Sequence, residues 1–508
     1  MLKQLKYLPL CIIAYLFLSF PILATPENLI TLSLNLKYRA LYITCCDFEG
    51  TGLKDIATAN EYTITIFRQN PNYSFKDYTI KSSDRITALN SCRINKSGEK
   101  VLICLGINKI FYFYLNNYGE VKGPNYIELP KDKIIFLEKQ KSMKNYSFVV
   151  DLNNDGLDDI AIPLEDSLLV LWQIESLVFK PSFVQIEDNF IDSSLNSQPW
   201  PKFGEKNGTT NKGISFFPTL NKGQYYWFQD YNKDGLLDII SLTGNPDGCQ
   251  IAIYFQKKKG EFQLPKHINL LNTKYQNWCS GELQLLDLNN DGLLDIIETN
   301  IEYPLRGNTS FLPIIVTKIY LASDPFQFNS QPNNIFKSVF IPGLDNIVRM
   351  NNNGGYGIIT APSPLKLGSK ESIIRVAENK EIIFNLGYYT IDDKAKNKYI
   401  SYVALNKDFS MVLPELTGLD NFRQFIRFED INDDGIPDIL SLKKINLLEL
   451  ATLKKVGDAL AIDRTLDIPL PYPITEVKTI DINSDRKREF LMLGPSSKKI
   501  YVIYLRGL

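Results

Sequence analysis

Five short stretches of the chain gather oxygen-bearing side chains at a fixed spacing, with an acid at the first and ninth positions and glycine at the sixth. They read DFEGTGLKD from Asp47, DLNNDGLDD from Asp151, DYNKDGLLD from Asp230, DLNNDGLLD from Asp287 and DINDDGIPD from Asp430. When the backbone curls, side-chain oxygens at positions one, three and five converge, and glycine at position six permits the sharp turn at positive φ. The carbonyl at position seven and the acid at position nine complete an all-oxygen shell. Such a shell suits a hard cation, and calcium tolerates its irregular geometry better than magnesium does.

The expected calcium ligands follow position by position. They are Asp47, Glu49, Thr51 and Asp55 in the first loop, and Asp151, Asn153, Asp155, the Leu157 carbonyl and Asp159 in the second. The third loop offers Asp230, Asn232, Asp234, Leu236 and Asp238, and the fourth Asp287, Asn289, Asp291, Leu293 and Asp295. Asp430, Asn432, Asp434, Ile436 and Asp438 make the last set. That is four calcium sites, or five if the Asp47 loop binds with its Glu49 and Thr51. A weaker copy, DINSDRKRE from Asp481, has Arg486 in place of the turn glycine. Asp, Asn and Gly would also form metal-free turns; acid recurring at positions one, five and nine together favours the metal.

An EF-hand opens with similar residues but needs a bidentate glutamate at position twelve and flanking helices. Position twelve here is Thr58, Ile162, Ser241 and Ser441 in four copies, and only Glu298 fits. The flanks, such as YSFVV before Asp151 and DIISL from Asp238, are β-rich and too short for helices. Each loop is therefore expected to join two antiparallel strands.

A third strand follows each pair: YTITIFRQ, SLLVLWQI, CQIAIYFQ, IIVTKIYLA and NLLELATL. A looser fourth comes next, as in FKDYTIK near Phe75. Four antiparallel strands repeating at intervals of about 45 to 80 residues describe blades of a propeller, because one such sheet alone would expose both faces. Two further units keep the strand pattern without the acids, SCRINKSGEKVLICLG around Asn95 and IVRMNNNGGYGIIT around Asn352. The fold class expected is all-β, a single closed β-propeller over 27–508, with eight blades favoured. Seven is the alternative, if the region from Asp345 to Glu415 is an insertion. The last blade has only three strands before the chain ends, so NLITLSLNL from Asn28 to Leu36 is expected to supply its fourth beside KIYVIYL.

These loops resemble those of the FG-GAP and VCBS repeat families, related to the propeller head of integrin α-chains. The resemblance is sharp only in the loops, and the Phe-Gly and Gly-Ala-Pro signatures are essentially absent, so VCBS-like is the closer description. It implies calcium held between the first two strands of a blade, with Asp47, Asp151, Asp230, Asp287 and Asp430 as first ligands.

The rest of the sequence bounds the function. The 508 residues are 44% hydrophobic and 22% charged with a formal net charge of −1, which excludes the positive excess of a nucleic-acid or polybasic membrane-surface binder. Lys3, Lys6, the apolar run Leu8 to Leu23 and the small Ala24 read as a cleaved export signal over 1–24, with no membrane span in the mature chain. Six of the seven cysteines lie beyond it. Cys92 and Cys104 are the best disulfide pair, against the alternative of buried free thiols. His267 is the only histidine and is expected near a strand end on the surface, so a histidine-based triad is poorly supported. The long stretch from Glu187 to Gln224, with Trp200, Phe203, Phe216 and Phe217, is an insertion that could bind a ligand.

Together these features point to an exported, monomeric, calcium-binding propeller with a protein or glycan ligand at one face, more an adhesion module than an enzyme. A calcium-dependent polysaccharide lyase or hydrolase is one alternative, and a structural subunit of an envelope assembly the other.

Overall fold

The computed structural model describes residues 29–505 except 108, 116–119, 131–147, 165–166, 187–224, 246–247, 259, 271–281, 290, 303–313, 330, 340–346, 350–355, 361–380, 392–398, 413–425, 445, 457–458, 471–475 and 494–497. The leader, the aromatic stretch 187–224, Cys279 and the Asn351–Gly355 run lie outside the described residues.

All the regular structure described is β, and it falls into eight four-stranded antiparallel sheets with two short hairpin extensions. Seven sheets are each drawn from one continuous stretch: 42–81, 88–127, 149–185, 225–270, 282–339, 347–412 and 426–469. They are blades one to seven in chain order. The eighth is composite. Glu476–Ile480, Glu489–Leu493 and Lys499–Leu505 supply three strands, and Leu29–Asn35 adds the fourth, with Leu29 opposite Leu505 and Asn35 opposite Lys499. The expected pairing of the two chain ends is therefore present. Within the region from Asp345 to Glu415, Ile347–Arg349, Tyr356–Thr360, Glu381–Ile391 and Tyr399–Val412 form a four-stranded sheet of their own.

Second and third strands are the apolar middle of each blade. In the first blade Asp55–Ala59 is buried throughout, while the fourth strand Phe75–Lys81 is half-buried or exposed. Between blades no strand ladder continues; side chains pack face to face instead. Blades one and two share a core through Ala57, Ile66, Leu102 and Phe111, and blades two and three through Val101, Ile103, Ile160 and Leu171. Blades three and four meet at Ala161, Val170, Ile239 and Ala252, and four and five at Ile240, Ile251 and Ile296. Blade seven packs on blade six through Tyr388 and Leu405 and on blade eight through Phe490 and Ile503. Blade eight then packs on blade one, Leu491 and Val502 against Ile43 and Ile56. Contact between blades five and six runs from Asn334–Val339 to Tyr356–Thr360.

The expected Cys92–Cys104 disulfide is absent. Cys45, Cys46, Cys92 and Cys104 are free thiols. The register explains it: Cys92 faces Val101 while Cys104 faces Leu89. Residues 89 and 92 are an odd number apart, so the two thiols point to opposite faces of the sheet. Cys92 enters the core shared with blade three and Cys104 the core shared with blade one. Burial pushes both thiols well above their ordinary pKa, so they behave as small apolar side chains.

Candidate functional site

Every expected loop joins the first and second strands of a blade. Asp47 follows Tyr42–Cys46 and Asp55 opens Asp55–Ala59; Asp159, Asp238, Asp295 and Asp438 likewise open second strands. Position six takes the left-handed backbone in all five, from Gly52 (φ 88°) through Gly156 (91°), Gly235 (87°) and Gly292 (93°) to Gly435 (81°). Position four does so too, although it is not always glycine: Asn154 (53°), Lys233 (60°) and Asp433 (60°). In the degenerate loop Arg486 is held at φ 72°, so the turn is kept without its glycine.

The first acid organises the loop. Asp151 Oδ1 accepts from the Asp155 N–H at 3.1 Å and Oδ2 from the Gly156 N–H at 3.0 Å. Asp230 does the same with Asp234 and Gly235, and Asp430 with Asp434 and Gly435. Asp47 accepts from Thr51 and Gly52. Position five then turns back, Asp155 Oδ1 accepting from the Leu157 N–H and Asp434 Oδ1 from the Ile436 N–H. In three loops the Asn amide at position three donates to the far oxygen of the position-five acid: Asn232 to Asp234, Asn289 to Asp291 and Asn432 to Asp434, each at 2.9 Å.

Position nine is fixed from two sides. Asp159 Oδ2 accepts from the Leu152 N–H at 3.1 Å, and Oδ1 from the Gln173 N–H of the third strand at 2.9 Å. The same double grip recurs at Asp55 (Phe48, Gln69), Asp238 (Tyr231, Gln256), Asp295 (Leu288, Ala322) and Asp438 (Ile431, Leu453). Asp159, Asp238, Asp295 and Asp438 are fully buried. Burial raises Asp55 and Asp238 to about 6 and Asp159, Asp295 and Asp438 to about 7, reinforced by Glu49 and Asp47 for Asp55 and by the acids at positions five and one for the others. Each oxygen keeps a lone pair beyond its N–H partner.

These residues fit a calcium ion on two counts. The donors are all oxygen, mixed carboxylate, amide and carbonyl, as a hard cation prefers. At two first positions, Asp287 and Asp481, Oδ1 is buried with no hydrogen-bond partner, an arrangement that is costly unless a cation completes it. Among the described residues no group of three acidic, histidine or cysteine side chains forms a ready metal cluster. Glu298, the one EF-hand-like glutamate, is instead buried on its strand beside Lys318 and Tyr320.

Sequence reasoning missed how the loops join one another. The Leu237 N–H donates to the Leu152 carbonyl of the preceding loop at 3.1 Å, Lys54 to Ile482 at 2.8 Å and Arg488 to Ile431 at 2.9 Å. A glutamine at the end of three third strands bridges the same seams. Gln173 Nε2 donates to the carbonyls of Arg93 and Asp158, and Gln256 Nε2 to those of Leu152 and Leu237. Gln69, with its amide nitrogen toward the loops, reaches Ile482 and Lys54. The signal was an aromatic residue one or two places ahead of glutamine, in IFRQ, LWQ and YFQ, whose role only neighbouring blades reveal.

Cations also cross the seams. In the second blade, whose loop lacks acids at positions one, five and nine, Arg93 holds position one, and its Nη2 lies 2.9 Å from Asp151 Oδ2 and 3.2 Å from Asp158 Oδ1. Lys233 Nζ lies 2.9 Å from Asp287 Oδ2. Val101 stands where position nine would carry an acid, and it is buried. His267 is exposed on Lys266–Leu270, the fourth strand of its blade.

The FG-GAP-like repeat family matches residues 230–297, which hold the Asp230 and Asp287 loops. No curated protein matches the sequence. Among solved structures, the chain is similar to a lectin of Agrocybe aegerita described for recognising non-reducing terminal N-acetylglucosamine. The TM-score is 0.44 at 12% identity, over 92% of this chain and 99% of the lectin. It is also similar to the WD40 domain of SCAP from fission yeast, with a TM-score of 0.40 at 9% identity, over 94% of this chain and 99% of that domain.

Proposed function

We propose that this all-β chain of four-stranded blades, which matches the FG-GAP-like repeat family over residues 230–297, is a calcium-braced module acting outside the cell to bind a protein or glycan. The observation that carries this reading is the division of labour between the two ends of the blades. In a four-stranded antiparallel sheet the first-to-second and third-to-fourth hairpins share one end. The second-to-third turns and the connections between blades share the other. All the aspartate loops therefore lie at one end, where backbone bonds and the bridging glutamines lock them to their neighbours. The connections that vary most in length, such as that between Val178–Gln185 and Tyr225–Gln229, leave from the opposite end. Variable connections on a rigid ring are where recognition resides.

On this reading calcium serves the ring rather than touching the ligand. Asp151, Asn153, Asp155, Asp159 and the Leu157 carbonyl hold it in the third blade, and the matching residues do so at Asp230, Asp287, Asp430 and Asp47. The ion supplies the positive charge that the crowded carboxylates lack. A ligand that binds only the folded state at one hundred times its Kd stabilises it by about 2.7 kcal/mol per site, so several sites make the fold strongly calcium-dependent. The export signal expected over 1–24 would place the chain where calcium is plentiful.

A glycan and surface-protein binding screen, run on the protein with calcium and after chelation, tests the proposal. Binding that fades in chelator only as the protein loses its fold is the expected result. Calcium titration without bound metal would overturn the brace. Turnover of a polysaccharide with no binding on either array would replace the module with an enzyme.

A further inference from the structure

The loops differ in what already neutralises them. Across four described seams, position four of one loop abuts the turn glycine of the next blade's loop. Lys96 Cγ lies 3.7 Å from where a β-carbon on Gly156 would stand, Asn154 Nδ2 4.0 Å from that of Gly235, and Lys233 Nζ 3.8 Å from that of Gly292. Ser484 likewise meets Gly52. Whatever side chain occupies position four is therefore delivered to the mouth of the following loop. At Lys233 that side chain is an ammonium, and it pairs with Asp287 Oδ2, the same oxygen that accepts from the Gly292 N–H. At the Asp151 loop Arg93 does the equivalent from position one. Among the described residues no lysine or arginine pairs with Asp230 or Asp430, whose oxygens accept backbone N–H groups only.

We propose that Lys233 and Arg93 are tethered counter-ions that set the calcium affinity of the next blade's loop, dividing the four DxNxDGxxD sites into a weaker pair at Asp151 and Asp287 and a tighter pair at Asp230 and Asp430. The proposal rests on the calcium reading of the loops and goes beyond it. A fixed cation at the first ligand repels the incoming ion and must give up its own pairing when the carboxylate turns to the metal. The same cation supports the loop when calcium is scarce. Graded occupancy follows: as calcium rises, the bare loops fill first, and the guarded ones fill over a higher range.

The backbone makes a clean exchange available. Asn154 and Lys233 occupy equivalent left-handed positions, φ 53° and 60°, so Lys233→Asn and Asn154→Lys each install a side chain that the position already accommodates elsewhere in the ring. Calorimetric calcium titration of the full chain, stripped of metal beforehand, compares the two variants with the wild type. Lys233→Asn is expected to tighten one site about fivefold, the size of a single half-exposed ion pair. Asn154→Lys should weaken one site by about the same factor, with stoichiometry unchanged in both. Adding Asp287→Ala to Lys233→Asn should abolish the tightening and so locate it. Wild-type binding with every constant unmoved by either exchange overturns the counter-ion role while leaving the calcium reading standing. A wild type that takes up no calcium overturns both.

Discussion

At the scale of single residues, the acid at position nine does more than the sequence pattern assigns to it. Asp438 holds the N–H groups of Ile431 and Leu453 while fully buried. Asp438→Ala leaves two buried donors without acceptors, and each such group costs about 1–3 kcal/mol. The loss of stability should therefore appear in calcium and in chelator alike. Asp151→Ala with Asp155→Ala should differ, lowering the melting temperature in calcium and changing it little in chelator. Equal losses from both variants in chelator would contradict this division. The raised acids also predict a pH response. Asp55, Asp159, Asp238, Asp295 and Asp438 titrate at about 6 to 7 when folded, against about 3.9 when unfolded. The folded state then binds more protons across that window, so their contribution is complete below the unfolded value and is lost as pH rises through 6 to 7. Asp84 is held low by Lys109 and Tyr126, and it acts in the opposite sense only below the usual carboxylate range. Calcium-stripped protein should thus melt higher at pH 5 than at pH 8, and saturating calcium should flatten or reverse that slope. A stripped protein most stable at pH 8 would refute the assignment.

At the scale of the element, the loops described throughout, at Asp47, Asp151, Asp230, Asp430 and Asp481, are hairpins with two left-handed positions, and backbone bonds such as Leu237 to Leu152 clamp neighbouring loops together. The Asp481 copy keeps this conformation with Arg486 at φ 72°. A side chain there costs about 1–2 kcal/mol, offset in part because glycine loses more freedom on folding. Arg486→Gly is expected to raise stability by about 0.5–1 kcal/mol, read as a rise in melting temperature. A fall would mean that the arginine makes a contact worth more than the strain. The bridging glutamines belong to this scale too. Gln256→Ala removes two bonds to the Leu152 and Leu237 carbonyls and should cost about 1–2 kcal/mol by the ordinary worth of such bonds. It should also speed amide exchange at Leu237, which donates across the same seam.

At the scale of the whole molecule, the ring depends on a blade built from both chain ends. Leu29–Asn35 covers the edge of Lys499–Leu505 along seven residue pairs. A chain beginning at residue 37 would leave that strand as an open edge, a template for pairing with other chains. The expected outcome is a lower melting temperature and self-association visible by size-exclusion chromatography. Adding the missing strand as a peptide should reverse both. A shortened chain that stays monomeric and equally stable would show that the composite blade is dispensable.

The sequence by itself determined the blade grammar and the loops. Strand alternation, acids at fixed spacing and the turn glycine are local properties, so DLNNDGLDD specifies a hairpin wherever it falls. It also indicated that Leu29–Asn35 would complete the last blade, because an unpaired third strand needs a partner. What only the tertiary structure decided is what crosses between blades. Cys92 and Cys104 are close in sequence, yet the register sends them into different interfaces. The role of Gln173, the grip of third-strand N–H groups on Asp159 and the reach of Lys233 to Asp287 all join residues from different strands or blades. Local spacing carries no information about such pairs, because it is the packing of one sheet on the next that fixes their distance.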